Sequence, residues 1–187
     1  MLSWRITYME RTVPPGEAPV APESETDLTI EPDVSLELYR ELHRKVGEEW
    51  MWWERLILDD AALGKLIFDA NTEIRLLRVA GEVAGFAELD RSDTGAPAIR
   101  YFGLMPGFIG RRLGGFMMEA LLHQAWQPSV RRVTLDTCDL DHPAAIGFYH
   151  RHGFKDTHSE VESAEDPRET GVLPRSAGPH IPLNRQY

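Results

Sequence analysis

Two stretches of this sequence hold residue types at spacings that could do chemistry. The first, LMPGFIGRRLGG at positions 104–115, places four glycines in twelve residues just before an apolar-patterned run that ends near Gln127. A glycine-rich turn feeding a helix N-terminus offers unpaired amides and the positive end of the helix dipole, which suits a pyrophosphate. The stretch lacks the Lys-Ser/Thr ending of a P-loop and a GxGxxG repeat. An anion-binding turn and a plain tight turn therefore both stay open on these residues alone. The second stretch, DHPAAIGFYHRHGF at 141–154, sets Ala145, Phe148, Tyr149 and His152 at helical spacing, with Gly153 fit to stop the helix. A tyrosine on such a face is either core or a hydroxyl proton donor that reaches out of the core, and the two roles can coexist. His142, His150, His152 and His158 crowd the same region without cysteine partners, so no metal site is expected.

The elements that would position these residues follow from periodicity. Positions 4–11 alternate as a strand, whereas 13–33 is a proline-rich loop in which neither helix nor ladder is expected. From Ser35, a plausible N-cap, Leu36, Tyr39, Leu42, His43 and Val46 fall on one helical face, and a second short helix at about 60–68 has Asp59 as its cap. EIRLLRVA and VAGFAELD read as a hairpin turning at Gly81-Glu82, with AIRYFGL as the neighbouring strand. A helix at 114–127, a strand at 131–137, a helix at about 142–152 and a strand from Phe154 follow, before an irregular tail at about 163–187. This order predicts an α/β (α+β) fold, a mixed sheet with helices on its faces.

At 187 residues and 42% hydrophobic, positions 1–187 fit one domain. A net charge of −10 argues against nucleic acid as partner. No run of about eighteen apolar residues and no signal core are visible, so no membrane partner and a cytoplasmic location are expected. The single Cys138 forms no internal disulfide. A homodimer is compatible with all of this, without being indicated by it.

The two motifs together resemble the GNAT superfamily of acyl-CoA-dependent N-acetyltransferases. Their pyrophosphate loop, Gln/Arg-x-x-Gly-x-Gly/Ala, has its counterpart in Ile109-Gly110-Arg111-Arg112-Leu113-Gly114, with Ile109 and Arg112 as departures. Their Asn-x-x-Ala-x-x-x-Tyr-x-x-x-Gly-Phe block is matched by His142, Ala145, Tyr149, Gly153 and Phe154, only the Asn being changed. The resemblance implies a mostly antiparallel central sheet with helices on both faces, acetyl-CoA as co-substrate, no metal, and a small-molecule or peptide amine as acceptor. It implies that Phe102, Gly103 and Leu104 meet the pantetheine along splayed strands, and that Gly110, Arg111, Arg112, Leu113, Gly114 and Gly115 surround the pyrophosphate, with His142 and Tyr149 beside the coenzyme. A helical backbone at Arg112 would carry a side chain without dihedral strain. Tyr149 would protonate the leaving thiolate. The family's base is a carboxylate on its fourth or fifth strand. AIRYFGL contains none, which leaves Asp136 and, on the preceding strand, Glu88. Trp52 and Trp53, with Trp50 beside them, would wall the acceptor site, and Arg55 could bind a carboxylate. The two loop departures also admit a non-catalytic acyl-CoA-binding sensor or regulator.

Overall fold

The computed structural model describes residues 1–186. Seven strands form one sheet in the order β2-β3-β4-β5-β6-β1-β7, and four α-helices pack on it. The strands are β1 (Leu2–Arg11), β2 (Thr26–Ile30), β3 (Thr72–Val79), β4 (Glu82–Asp90), β5 (Ala98–Leu104), β6 (Val133–Cys138) and β7 (Lys155–Ala164). The helices are α1 (Leu36–Gly47), α2 (Asp60–Ile67), α3 (Leu113–Ala125) and α4 (Ala145–Arg151). Every pairing is antiparallel except β5 with β6. Helices α1 and α2 cover one face, where Tyr39, Leu42, Val46, Leu63 and Ile67 meet Ile74, Leu76 and Phe86. Helix α3 covers the other with Leu113, Met117, Leu121 and Leu122.

Three expectations from the sequence are corrected. The proline-rich segment 13–33 is not wholly loop: Thr26–Ile30 lies beyond its prolines and adds an edge strand to β3, with Leu28 buried under α3. The β3–β4 hairpin turns on Ala80 and Gly81 rather than Gly81-Glu82, both at positive φ, the conformation that matches strand twist in a two-residue loop. Helix α4 begins at Ala145, because His142 forms a turn in which its Nδ1 accepts from the Ala144 amide at 3.0 Å. The first strand carries a further surprise in its position. β1 lies inside the sheet, antiparallel to both β6 and β7, with Met9 packed beneath α3 and Leu2, Trp4 and Ile6 on the opposite face.

Local chemistry explains the helix limits. Ser35 caps α1 by accepting from the Leu38 amide at 3.0 Å, and Asp59 caps α2 from Ala62 at 2.7 Å. Helix α1 stops at Gly47, a tight 3-10 turn follows at Glu48–Trp50, and Met51 takes the left-handed conformation at φ 60. That reversal folds Trp52 back onto the helix end. A Cβ on Gly47 would stand 2.6 Å from the Trp52 side chain, so glycine is the residue that lets the indole close there.

Beyond β7 the chain has no regular structure, yet it is not loose. Leu173, Ala177 and Ile181 pack with Leu2, Trp4, Met51 and Trp53, closing the face of β1 that the helices leave open. The buried Arg168 guanidinium donates to Asp166 at 2.9 and 2.7 Å and to the Ile181 and Pro182 carbonyls at 2.8 and 3.1 Å. A buried pair persists when its remaining donors and acceptors are matched in this way.

Arg168 holds the Asp166 carboxyl down at about 2. Its folded pKa lies below the unfolded value, so the stabilisation is complete above about pH 4 and is lost as pH falls toward 2. Asp166→Asn is expected to cost about 2 kcal/mol or more at pH 7 and to flatten stability between pH 4 and 2, measured by urea unfolding. Parallel acid limbs in parent and variant would place the acid sensitivity elsewhere.

Candidate active site

Strands β5 and β6 pair only at Ala98 with Thr134 and Ile99 with Leu135, and then separate. From Arg100 to Leu104, β5 keeps its ladder to β4 but has no strand on its other side. The gap opens into a cavity of about 580 Å³ bounded by Phe102, Gly103 and Leu104 of β5, Asp136 to Cys138 of β6, Tyr149 of α4 and the Trp50–Arg55 connection. Unpaired strand backbone facing a cavity must find hydrogen-bond partners in water or a ligand. A ligand with amides at strand spacing fits that edge.

One end of the gap leads to the glycine-rich turn. Among the described residues, the amides of Gly110 to Gly115 have no acceptor, while Gly110 at φ 86 and Arg112 at φ 63 alternate with right-handed or extended neighbours. Successive free amides in such a turn at a helix N-terminus form an anion-binding concavity. Gly114 lines the cavity directly, and Leu113, the first residue of α3, is buried. The expected helical backbone at Arg112 is thus corrected. It is left-handed, which costs an L-residue roughly 1 kcal/mol, and it occupies the place where the family motif carries a glycine. Its guanidinium has no ion pair among the described residues. Arg111 instead makes a two-pronged contact with Glu23 at 2.8 and 2.5 Å and lies over the Phe108 ring at 4.6 Å.

Tyr149 stands in the gap between β5 and β6. Its ring packs edge-on against Phe148 and Phe154, with centroids 5.6 and 6.1 Å apart, and its hydroxyl has no hydrogen-bond partner among the described residues. Burial, followed by the nearby Asp141, Asp136 and Cys138, raises its pKa far above that of a free phenol. It is therefore a neutral donor at any physiological pH. Burial likewise raises the Cys138 thiol, so no thiolate is present.

The carboxylates sort by environment. Glu88 is buried and stands off the cavity, donated to by Arg55 at 2.6 Å and by the Tyr39 hydroxyl. A carboxylate held so serves the packing of α1 on β4 and has no free lone pair aimed at an acceptor. The same pair answers the expectation for Arg55. That residue lines the cavity, but its guanidinium turns to Glu88, to the Tyr39 hydroxyl at 3.2 Å and beneath the Tyr101 ring at 5.3 Å, away from any substrate carboxylate. Asp136 does line the cavity, and its pKa is raised by burial and by Asp141 and Glu162, against the lowering effect of Arg100. Asp141 is tied by Trp52 Nε1 at 3.1 Å, Thr137 Oγ1 at 2.8 Å and the Cys138 amide at 2.9 Å.

Sequence reading passed over Glu54, Asp141, Tyr101, Tyr8 and Glu162, all of which line the cavity. Glu54 sits in the same WMWWER block as the tryptophans, but a lone glutamate in a charged chain gives no periodic signal. Tyr8 and Glu162 could be assigned only once β1 was seen beside β6. Trp52 meets Tyr101 at 5.1 Å and 63°, and Trp50 lies 5.0 Å from the His142 ring at the rim. Beneath them His43 is fully buried with neither nitrogen hydrogen-bonded, and burial lowers it to about 3. It acts as a neutral aromatic filler. Among the described residues no three His, Cys, Asp or Glu side chains form a metal-holding group, and the histidines of the second motif are dispersed to Trp50, Asp156, Glu119 and Tyr8. No described helix is long and apolar enough to cross a membrane.

Known structures share this architecture. A GCN5-related N-acetyltransferase from Sphaerobacter thermophilus aligns over 84% of this chain and 50% of its own, at 16% identity and a TM-score of 0.65. One from Kribbella flavida aligns over 84% and 56%, at 16% identity and a TM-score of 0.54. The chain thus spans about half the length of these proteins. A GNAT family acetyltransferase from Elizabethkingia anophelis, with acetyl-CoA bound, aligns over 73% and 80%, at 14% identity and a TM-score of 0.54. No curated protein sequence matches. The sequence model of the Acetyltransferase (GNAT) family matches residues 34–154, from the start of α1 through the helix that carries Tyr149. With that match covering most of the chain, and the splayed strands and amide turn where such a fold needs them, the chain belongs to the GNAT acetyltransferase family.

Proposed function

We propose that this protein transfers an acetyl group from acetyl-CoA to a primary amine of a small molecule or peptide. The observation that carries the reading is the continuity of the gap beside β5 with the amide turn at Gly110–Gly115, with Tyr149 standing where the two strands part. Free strand amides and carbonyls from Arg100 to Leu104 would take the pantetheine arm. The turn would take the pyrophosphate, with Arg112 as a charged flank. A backbone amide beside the gap would polarise the thioester carbonyl and hold the oxyanion as the amine adds. Tyr149, held neutral by burial, would give its proton to the leaving sulfur.

A sensor that binds an acyl-CoA without turnover would use the same turn and gap, and the lack of any carboxylate on β5, the strand that borders the gap, favours it, since a base must then come from another element. Thiol release with amine panels separates the two readings, and calorimetry with acetyl-CoA against unrelated nucleotides tests what they share. Absence of selective acetyl-CoA binding would remove both.

Tyr149→Phe is expected to bind acetyl-CoA as the parent does and to turn over at least roughly tenfold more slowly, within the range for losing a general acid. Unchanged turnover would take Tyr149 out of the mechanism. Arg112→Gly keeps the left-handed turn and its amides while removing the guanidinium. It should weaken acetyl-CoA by about tenfold, the worth of a charge-assisted contact, and leave phosphate-free pantetheine unaffected. Equal effects on both ligands would show that Arg112 does not reach phosphate.

A further inference from the structure

The cavity wall opposite Tyr149 has an uneven chemistry. Trp52 and Tyr101 form an aromatic corner, and Met51, Trp53, Leu140 and Ile6 continue it as an apolar pocket braced from behind by the tail. Two arginines on that side are already matched, Arg55 by Glu88 at 2.6 Å and Arg100 by Asp90 at 2.8 Å. Arg151, the third arginine of the lining, stands on α4, with its guanidinium 3.5 Å from where a Cβ on Gly147 of its own helix would lie. A ligand carboxylate brought to the Trp52–Tyr101 corner would therefore meet the carboxylates Glu54 and Asp141 beside two arginines already engaged.

Glu54 is the carboxylate on that wall with capacity to spare. It accepts only from nearby backbone, the Trp53 amide at 3.1 Å and its own amide, and it is exposed at the cavity wall. The groups facing it are Arg55 on its own segment, Tyr101 on β5, Cys138 at the end of β6 and Asp141 beyond. Cys138 and Asp141 are also electrostatic neighbours of Tyr149, so Glu54 and Tyr149 share two neighbours within one cavity. Asp136 differs. It sits across the β1–β6 register from Tyr8, and Arg100 favours its charged form.

Building on the transferase reading, we infer that the acceptor is a primary amine on an apolar, aromatic-sized body without a carboxylate, and that Glu54 seats its ammonium and takes its proton. The body lies against Trp52, Trp53 and Met51, and the cation is bracketed by the Trp52 and Tyr101 faces and the Glu54 carboxylate. The ammonium gives one proton to Glu54, which passes it to solvent. The neutral nitrogen attacks the thioester carbonyl carbon and a C–N bond forms. The nitrogen then loses its surplus proton to Glu54, the C–S bond breaks, and the sulfur takes the Tyr149 proton, which solvent restores. The products are the amide and the free thiol. Although Glu54 keeps an exposed face, desolvation by the surrounding walls, reinforced by Asp141, pushes its carboxyl up to about 6, close to the pH at which it must accept a proton.

The test uses the full chain with 2-phenylethylamine and phenylalanine, which differ only by a carboxylate. The amine is expected to exceed the amino acid by at least about tenfold in kcat/KM, because an unmatched charge on the apolar wall is costly to desolvate. Glu54→Gln should retain acetyl-CoA affinity by calorimetry, lose at least about tenfold in kcat, and lose an ionisation near pH 6 from the kcat/KM profile, with Glu54→Asp recovering part of it. Phenylalanine preferred over, or equal to, the amine would overturn the assigned acceptor class. Parental kcat in Glu54→Gln, the same ionisation kept in it, or its loss in Asp136→Asn instead would overturn the role of Glu54. A parent that acetylates amines while Glu54→Gln behaves identically defeats this inference alone, whereas a parent that acetylates no amine defeats the function as well.

Discussion

The parallel ladder between β5 and β6 ends after Ile99 and Leu135, and most of the site depends on that ending. Where two strands part inside a sheet, backbone polar groups are exposed at the centre of the protein, a position normally closed by pairing. The ladder to β4 resumes at Tyr101 after an irregularity at Arg100 and holds the strand through Leu104, so its free edge is a fixed template. Tyr149 on α4 and the amide turn before α3 approach the gap from different elements, and both can be set accurately because the helices pack on the strands on either side. β1 secures the far bank. By pairing antiparallel with β6 through Arg11–Ile6, it holds β6 in place on the side away from β5.

The acceptor side is built by a different device. Termination of α1 at Gly47, the left-handed Met51 and the return of Trp52 onto the helix end convert an apolar helix extension into a wall of indoles. The wall stays in place because two structures lean on it. From inside the sheet layer, Asp141 accepts from the Trp52 indole. From outside, the tail packs Ala177 and Ile181 with Met51 and Trp53, and the His180 ring leans on Trp50 at 56°, with centroids 5.3 Å apart. The irregular tail is thus part of the site's architecture, anchored by the Asp166–Arg168 pair.

Charge is partitioned as well. The arginine best placed to bind a substrate carboxylate, Arg55, is drawn into the sheet by Glu88 and the Tyr39 hydroxyl. Their pairing neutralises the Arg55 cation at the cavity edge and leaves Glu54, Asp136, Asp141 and Glu162 on the walls. Both Glu54 and Asp136 keep exposed faces, and desolvation by the neighbouring walls still raises each above an ordinary carboxylate. On the other side of the gap the balance reverses. The turn offers free amides and the unpaired Arg112, which suits an anion. A chain of net charge −10 thus carries free amides and an arginine at one end of the gap and carboxylates at the other.

The sequence alone determined the family and most of the elements, because those rest on local signals. The period-2 runs at β3 to β5, the caps Ser35 and Asp59, the glycine-rich turn before α3 and the spacing around Tyr149 are each set by residues near in the chain. It missed β2, since a five-residue polar strand has no internal signature and exists only because β3 offers it an edge. It also left the base open. Whether Glu88, Asp136 or Glu54 faces the cavity depends on partners 33 or more residues away in sequence, such as Arg55 for Glu88 and Asp141 for Glu54. The backbone of Arg112 was misjudged for a related reason. An arginine in a glycine's place reads locally as helical backbone, whereas Arg112 keeps the left-handed conformation at φ 63. Local sequence specifies what each segment can form. Only the tertiary structure decides which charges are neutralised by distant neighbours, and that decision sets which side chains are left to do chemistry.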